Sequence, residues 1–170
     1  MNLTGTLEDD GRTLVLVRRF GVPIDDVWAS VTESERLARW FGTWTGDPSS
    51  GRVLVTMNAE AEPGAPAEFR VDACEPPRLL AVSAEDEFGN WRLSAELAEV
   101  DGGTTLTLRQ KELDPKTLPE TGPGWEWYLD RLVAAVEGGE PPTLAGFDTD
   151  YMPMSAGYAA LVSGGAVDES

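Results

Sequence analysis

Hydrophobic and polar residues alternate with a period of two over much of the middle of the chain. Between residues 51 and 111 four segments alternate in this way, and a fifth, residues 79–84, is largely apolar. Short runs of glycine, proline, asparagine and aspartate, which are typical of turns, separate the segments. Short turns between alternating segments predict an antiparallel meander with one apolar and one polar face. A strand at residues 12–20 joins these five, so we predict a six-stranded antiparallel sheet.

Helical spacing of apolar residues appears outside the meander. After Pro23, apolar residues recur at positions i, i+3, i+4 and i+7, which predicts a first short helix. Thr32-Glu33-Ser34-Glu35 has the form of a capping box and predicts a second short helix that ends at Trp40-Phe41-Gly42. Gly122-Pro123-Gly124 is interpreted as a break before the longest helix, residues 125–138. These elements predict an α+β fold in which the sheet curves around a long C-terminal helix.

The long helix carries one main apolar stripe, and several of its residues lie away from it. Glu126, Asp130 and Glu137 lie opposite the stripe, on the side that the sheet is not expected to cover. Trp127 also lies away from the stripe, although an indole is seldom left wholly in water. Because residues 143–162 retain several aromatic residues and methionines, we predict that they fold back over the helix, or reach a second subunit, and bury Trp127.

Composition and charge exclude several classes of function. The chain has 170 residues, with 13 basic and 30 acidic side chains, a net charge of −17 and no histidine. An acidic chain lacks the basic surface that nucleic acids and anionic membranes require, so we expect neither as a partner. Without histidine the chain cannot form a Ser-His triad or a histidine metal site. Its single cysteine, Cys74, cannot form an intrachain disulfide.

The length suits a single domain, which we assign to residues 1–162, followed by a flexible tail at residues 163–170. No signal peptide or membrane-spanning segment is recognised, so we expect a cytoplasmic protein that is a monomer or a homodimer.

Asp148-Thr149-Asp150 lacks the glycine and glutamate of a calcium loop, and Gly122-Pro123-Gly124 lacks the third glycine of a phosphate-binding loop. Cys74, with no histidine to activate it, is interpreted as an inert thiol. We therefore expect no catalytic residue, no metal site and no cofactor.

Aromatic residues concentrate where the predicted helices meet the sheet. They are explained equally well by a large packed core and by a pocket, because one long helix laid over a curved sheet leaves a concavity to fill. Arg18, Arg92 and Arg109 are candidate polar anchors only if they point inward, which the alternation does not favour for the last two. The candidate ligand-binding residues are Trp40, Phe41, Phe69, Trp91, Leu93, Leu108, Trp125, Tyr128, Leu129 and Leu132.

Three groups of residues carry a resemblance to known proteins. The first group, from the first strand and the two short helices, is Arg18-Arg19-Phe20 with Pro23, Val27-Trp28 and Leu37-Ala38-Arg39-Trp40. The second group, from the long helix, is Gly124-Trp125 with Tyr128-Leu129-Asp130-Arg131-Leu132. The third group, from the segment after that helix, is Tyr151-Met152-Pro153 with Tyr158. Together with the order of the elements, they resemble the SRPBCC (START/Bet v 1-like) superfamily, whose members have the helix-grip fold. Within it the chain is similar to bacterial proteins of the activator of heat-shock protein 90 ATPase homologue type. The resemblance spans about residues 5–162.

This resemblance implies a binding function without naming a ligand. Members of the superfamily bind lipids, hormones or polyketides between the long helix and the sheet, and a few are cyclases or aromatases. The resemblance thus implies a protein that holds a small apolar or amphipathic ligand under the long helix. A cyclase-like or aromatase-like enzyme using the same pocket is the first alternative. A co-chaperone or other protein-interaction module is the second, although we do not expect this chain to have the additional N-terminal domain of the eukaryotic co-chaperone.

Overall fold

The computed structural model describes residues 3–8, 10–59, 65–86 and 89–168, and its centre is one antiparallel sheet. Within these ranges there are eight strands: β1 (Thr6–Leu7), β2 (Leu14–Phe20), β3 (Gly42–Thr45), β4 (Arg52–Met57), β5 (Ala67–Glu75), β6 (Leu79–Asp86), β7 (Gly89–Val100) and β8 (Gly103–Lys111). The helices of the same ranges are α1 (Ile24–Thr32), α2 (Ser34–Leu37), α3 (Leu118–Glu137), α4 (Phe147–Asp150) and α5 (Ser155–Asp168), with short 3-10 turns at Pro48–Ser50, Pro115–Thr117 and Met152–Met154.

The strands lie in the order β1-β2-β8-β7-β6-β5-β4-β3. Strands β4 to β8 form the predicted meander, in which each strand pairs antiparallel with the next. β2 pairs with β8, the last strand of the chain, from Leu14↔Gln110 to Phe20↔Thr104. Two short helices follow β2, and the long helix α3 packs on the inner face of the sheet through buried leucines. This arrangement is the helix-grip fold, as predicted.

The two strands that the sequence analysis missed lie at the edges of the sheet. β1 has only two residues, which is too short for alternation to be visible in the sequence. β3 occupies a segment whose start was predicted to be the end of a helix. A Cβ at Gly42 would lie 2.3 Å from the carbonyl oxygen of Thr56, so only glycine lets β3 approach β4 this closely. Among the described residues the sheet therefore has eight strands rather than six.

The long helix begins earlier than predicted, because Gly122-Pro123-Gly124 lies inside α3 and not before it. Pro123 removes one backbone donor, but Leu118 and Trp125 are buried on either side of it and hold the helix in place. A Cβ at Gly122 would lie 2.4 Å from the ring of Tyr158. This glycine therefore serves the contact between α3 and α5, and not a chain break.

The predicted capping box does not form. Thr32 is the last residue of α1, and its hydroxyl donates to the carbonyl oxygen of Trp28 at 2.7 Å. The hydroxyl of Ser34 accepts from the backbone N–H of Trp44 at 3.0 Å and donates to the carbonyl oxygen of the same residue at 3.1 Å. Ser34 thus joins α2 to β3 instead of capping a helix.

The segment after α3 folds back over the outer side of that helix. Trp127 is only 2% exposed, because its indole N–H donates to the carbonyl oxygen of Thr143 at 3.1 Å and Phe147 meets its ring edge-on. The predicted burial of Trp127 is confirmed.

The backbone of α5 is helical as far as Asp168, and the flexible tail remains a prediction. In the part of the chain described, no helix combines the length and the apolar character needed to cross a bilayer.

Candidate functional site

A cavity of about 330 Å³ lies between the inner face of the sheet and α3. Helix α3 forms one wall, strands β4 to β8 form the opposite wall, and the segment from α1 to the 3-10 turn at Pro48–Ser50 closes one side. The lining residues are Val31, Thr32, Leu37, Trp40, Phe41, Trp44, Pro48, Val53, Val55, Phe69, Val71, Cys74, Leu80, Val82, Leu93, Ser94, Ala95, Leu106, Leu108, Trp125, Leu129 and Leu132.

Strand register decides which side chains of the sheet reach the cavity. Phe69 of β5 pairs with Val53 of β4, and Leu93 of β7 pairs with Val82 of β6. Because paired residues in neighbouring strands point to the same face, alternate residues of four strands converge on one apolar surface. The inner face predicted from the period-two pattern is thus the face that borders the cavity.

Cys74 reaches the cavity through an irregularity in β5. The register of β5 against β6 shifts between Val71 and Ala73, so that Val71 and Cys74 both line the cavity although they are three residues apart. Regular alternation would place these two side chains on opposite faces. Cys74 and Pro48 are also exposed, so the cavity reaches the surface of the protein.

Most polar groups of the cavity wall are already bonded within the protein. The indole N–H groups of Trp40 and Trp44 donate to carbonyl oxygens of α1, each at 2.8 Å. The indole N–H of Trp125 donates to the side-chain oxygen Oε1 of Gln110 at 2.7 Å. The hydroxyl of Ser94, which is also a lining residue, is buried and has no hydrogen-bond partner among the described residues. The surface that a ligand would meet is therefore mainly apolar.

Most of the predicted ligand-binding residues come together in this cavity. Tyr128 does not line it and instead contacts the rings of Phe41 and Trp127, with centroid distances of 5.3 and 5.0 Å. Trp91 also lies outside the lining, near the start of β7 and paired with Ala84. The predicted residues that do line it are Trp40, Phe41, Phe69, Leu93, Leu108, Trp125, Leu129 and Leu132.

The lining residues that were not predicted from the sequence lie on strands β4 to β8 and in the segment from α1 to the 3-10 turn at Pro48–Ser50. Val31, Leu37 and Trp44 line the cavity because α1 and α2 pack across one end of the sheet. The apolar stripe of α1 was visible in the sequence. Its position against the sheet depends on tertiary contacts, so the stripe alone could not assign these residues to a ligand site.

The three candidate arginines are all paired with carboxylates. Arg18 points inward, toward α3, and bonds Glu126 and Asp130 at 2.8 and 3.2 Å. Arg92 and Arg109 form ion pairs with Glu112, Glu96 and Glu8, and all of these side chains are at least partly exposed. None of the three arginines lines the cavity, so none is a polar anchor within it.

Glu126 is a buried carboxylate, only 1% exposed, that lies outside the cavity. It accepts hydrogen bonds from the backbone N–H and hydroxyl of Thr4 at 2.6 and 2.5 Å, from Tyr158 at 2.5 Å and from Arg18 at 2.8 Å. Burial acts to raise the pKa of Glu126, but the hydrogen bonds from Thr4, Tyr158 and Arg18 outweigh burial and hold the pKa below its ordinary value of 4.5. The carboxylate is therefore ionised, and its charge is bonded within the protein.

Two tyrosines of the C-terminal segment bind carboxylates of α3. Tyr158 donates to Glu126, and Tyr151 donates to Asp130 at 2.7 Å. Burial raises the pKa of both tyrosines above the ordinary value of 10, and the neighbouring carboxylates raise it further. With Thr4 and Arg18, these residues tie the N-terminal segment, β2, α3 and α5 together behind the cavity.

The fold and the cavity define a helix-grip protein with an apolar interior site. The family model for activator of Hsp90 ATPase homolog 1-like protein matches residues 21–137. The chain therefore belongs to the activator of Hsp90 ATPase homolog 1-like family, within the SRPBCC superfamily. The match ends at the end of α3, so the segment containing α4 and α5 lies beyond it.

Several solved structures have the same fold. The crystal structure of CalU16 from Micromonospora echinospora is 28% identical to this chain, with a TM-score of 0.73 and coverage of 88% of both chains. Its solution NMR structure is 27% identical, with a TM-score of 0.72 over 90% of this chain and 87% of CalU16. DynU16, a protein of the dynemicin biosynthetic locus, is 22% identical, with a TM-score of 0.66 over 76% of this chain and 49% of DynU16. No curated protein matches this chain.

Proposed function

We propose that this protein binds a small apolar or amphipathic molecule in the cavity between the sheet and α3. The observation that carries the proposal is a cavity of about 330 Å³ whose wall is mainly apolar and whose three indole N–H groups are already bonded within the protein. This volume lies at the lower end of the range of about 300–1,000 Å³ for small-molecule sites. The contacts would come from the eight predicted residues that line the cavity, among them Trp125 and Leu129 of α3.

The energetics of the cavity favour an apolar occupant over water. At about 30 Å³ per molecule, the cavity has room for roughly ten waters, and buried waters normally need two to four polar partners each. The apolar wall offers few such partners. A ligand that replaces this water gains about 25 cal/mol for each Å² of apolar surface removed from solvent.

The alternatives from the sequence receive less support from the geometry. A cyclase-like or aromatase-like reaction needs acid–base groups at the cavity, whereas the ion pair of Arg18 and the buried Glu126 lies outside its wall. A role limited to protein interaction would not require an apolar cavity. One structural neighbour, DynU16, belongs to a biosynthetic locus, a setting that suits small-molecule binding.

We also propose that the protein acts in the cytoplasm as a monomer or homodimer, and its net charge of −17 argues against a nucleic-acid partner.

A cavity-filling substitution tests this proposal. Ala95 lines the cavity on β7, so Ala95→Phe should place a ring in the space that a ligand needs. Ala98 lies on the same strand but is exposed on the outer face, which makes Ala98→Phe the matched control. Native mass spectrometry of each protein with decanol and with N-phenyl-α-naphthylamine should show complexes for the wild type and Ala98→Phe, and much weaker complexes for Ala95→Phe. If neither probe binds the wild type, or if Ala95→Phe binds them equally well, the proposal is wrong.

A further inference from the structure

We propose that the cavity selects flat, uncharged aromatic molecules of two or three rings over aliphatic chains and over anions. This inference rests on the proposed function, because it assumes that the cavity is a binding site. It is carried by three observations: the parallel geometry of two wall rings, the hydrogen bond that fixes the Trp125 indole, and the absence of an available cation among the described lining residues.

The rings of Phe41 and Trp125 are parallel to each other on the cavity wall. Their planes differ by 1° and their centroids are 6.4 Å apart. A flat aromatic molecule that stacks on one ring is therefore parallel to the other as well, so both rings can contact its faces or edges in favourable geometry. A flexible alkyl chain gains the same apolar burial but not the additional stacking energy of aromatic pairs.

The orientation of both rings is set before any ligand binds. The hydrogen bond of 2.7 Å from the indole of Trp125 to Gln110 fixes the indole, and Gln110 is itself only 3% exposed. Phe41 is held between Trp40 and Tyr128, whose ring centroids lie 5.4 and 5.3 Å from its own. Binding thus costs little side-chain entropy, which is the advantage of a pre-organised site.

The size of the cavity limits the number of rings. An apolar cavity of about 150 Å³ in a protein interior stays dry and accepts a single benzene ring. The cavity here is about twice that volume, at about 330 Å³, and it also opens to the surface at Cys74. Two or three fused or linked rings therefore match the space.

Charge excludes anionic ligands of the same size. The described lining residues include no lysine or arginine, and the partly buried Arg18 is already bonded to Glu126 and Asp130. An anion in the cavity would lose hydration without gaining a partner, and the net charge of −17 on the protein adds repulsion. Fatty-acid carboxylates and sulfonates should therefore bind less well than neutral molecules with the same apolar part.

Two dyes with one aromatic core test the charge requirement on the wild-type protein. N-phenyl-α-naphthylamine is neutral, and its analogue anilinonaphthalenesulfonate differs by one sulfonate. Fluorescence titration should show that the neutral dye binds at least tenfold more tightly at low salt. Decanol is then added to displace the bound neutral dye, and the displacement is monitored as a loss of dye fluorescence. Comparing the affinities of decanol and the dye measures the preference for aromatic over aliphatic molecules.

A pair of matched variants tests the contribution of the parallel rings. Phe41 and Phe69 both line the cavity and are half-buried, but only Phe41 is parallel to Trp125. Phe41→Leu should weaken binding of the neutral dye by about three- to tenfold relative to decanol, which is the effect of one lost aromatic contact. Phe69→Leu should change the affinities for dye and decanol by the same factor.

The possible results separate this inference from the proposed function. If the neutral dye and decanol both fail to bind the wild type, the proposed function fails and the inference fails with it. If decanol binds as tightly as the dye, if the sulfonated dye binds as tightly as the neutral one, or if the two variants behave alike, the cavity binds ligands without the selectivity inferred here. These wild-type comparisons remain decisive even if one of the variants does not fold.

Discussion

Replacing Tyr158 by phenylalanine removes one hydroxyl from the buried cluster behind α3. That hydroxyl donates to Oε2 of Glu126 at 2.5 Å and accepts from the backbone N–H of Gly5 at 3.1 Å. Tyr158 has no exposed surface, so water cannot replace the lost group. The phenylalanine ring keeps the contact with Gly122, and the substitution therefore isolates the two hydrogen bonds.

The expected loss of stability follows from the charge and burial of the partner. A hydrogen bond to an ionised group contributes about 1.5–3 kcal/mol, and Glu126 keeps its bonds to Thr4 and Arg18 after the substitution. The N–H of Gly5 also retains a longer contact of 3.3 Å with Glu126. We therefore expect Tyr158→Phe to lower the free energy of unfolding by about 2–3 kcal/mol, a large part of the total of about 5–15 kcal/mol typical of folded domains.

Tyr151→Phe is the matched control for this prediction. Its hydroxyl donates to Asp130 at 2.7 Å, but the Asp130 side chain is 42% exposed, so water can replace the lost donor. We expect a loss of about 1 kcal/mol or less. Urea denaturation followed by circular dichroism measures both variants, and an unchanged m-value shows that the denatured state is unaffected. A loss below about 0.5 kcal/mol for Tyr158→Phe, or equal losses for both variants, would refute the reasoning.

The same cluster predicts how stability depends on pH. The folded-state pKa of Glu126 lies below its ordinary value of 4.5, so its contribution is present above that value and is lost as the pH falls through the lower folded-state pKa. The pKa values of Tyr151 and Tyr158 lie above 10, so their contribution is present below pH 10 and is lost as the pH rises above it. Unfolding measured from about pH 3 to pH 11 should therefore show losses at both ends, and Tyr158→Phe should reduce both. A variant with the same acid and alkaline losses as the wild type would contradict this account.

Four further predictions follow from individual contacts. Truncation after Glu140 removes the cover of Trp127, so it should lower the unfolding midpoint and shift tryptophan emission to the red; unchanged emission would contradict the packing described. Gly122→Ala should destabilise the protein by about 1–3 kcal/mol through the clash with Tyr158, although alanine usually favours helices. Added salt, up to about 0.15 M, should raise the melting temperature by screening the charge of −17, and a lower midpoint would mean that specific ion pairs dominate. N-phenyl-α-naphthylamine should slow the labelling of Cys74 by a thiol reagent, because Cys74 is exposed and lines the cavity; equal rates would place the dye elsewhere.

The pattern of apolar residues was sufficient to predict the meander, the long helix and the inner face of the sheet. Period-two alternation assigns side chains to faces without reference to distant residues, which is why Phe69, Leu93 and Leu108 were placed on the cavity side correctly. Trp127 was also predictable, since an indole off the main stripe of a helix needs a cover.

Other features depend on contacts between residues far apart in the chain, and local patterns carry no signal for them. Glu126 was placed on the uncovered side of its helix, yet it is buried, because Thr4, Arg18 and Tyr158 converge on it from three other segments. Gly122 looked like a chain break, because the Tyr158 ring that requires it belongs to α5.

The cavity shows the same division between sequence and tertiary structure. The sequence by itself determined that the inner face is apolar, because every alternating strand contributes an apolar side chain to it. Whether that face closes into a solid core or leaves a void depends on how far α3 stands from the sheet. The bulge in β5, which brings Cys74 into the wall, is likewise a product of pairing with β6. Packing distances and strand register are properties of pairs of segments, so only the tertiary structure decided that the chain encloses a cavity and which side chains line it.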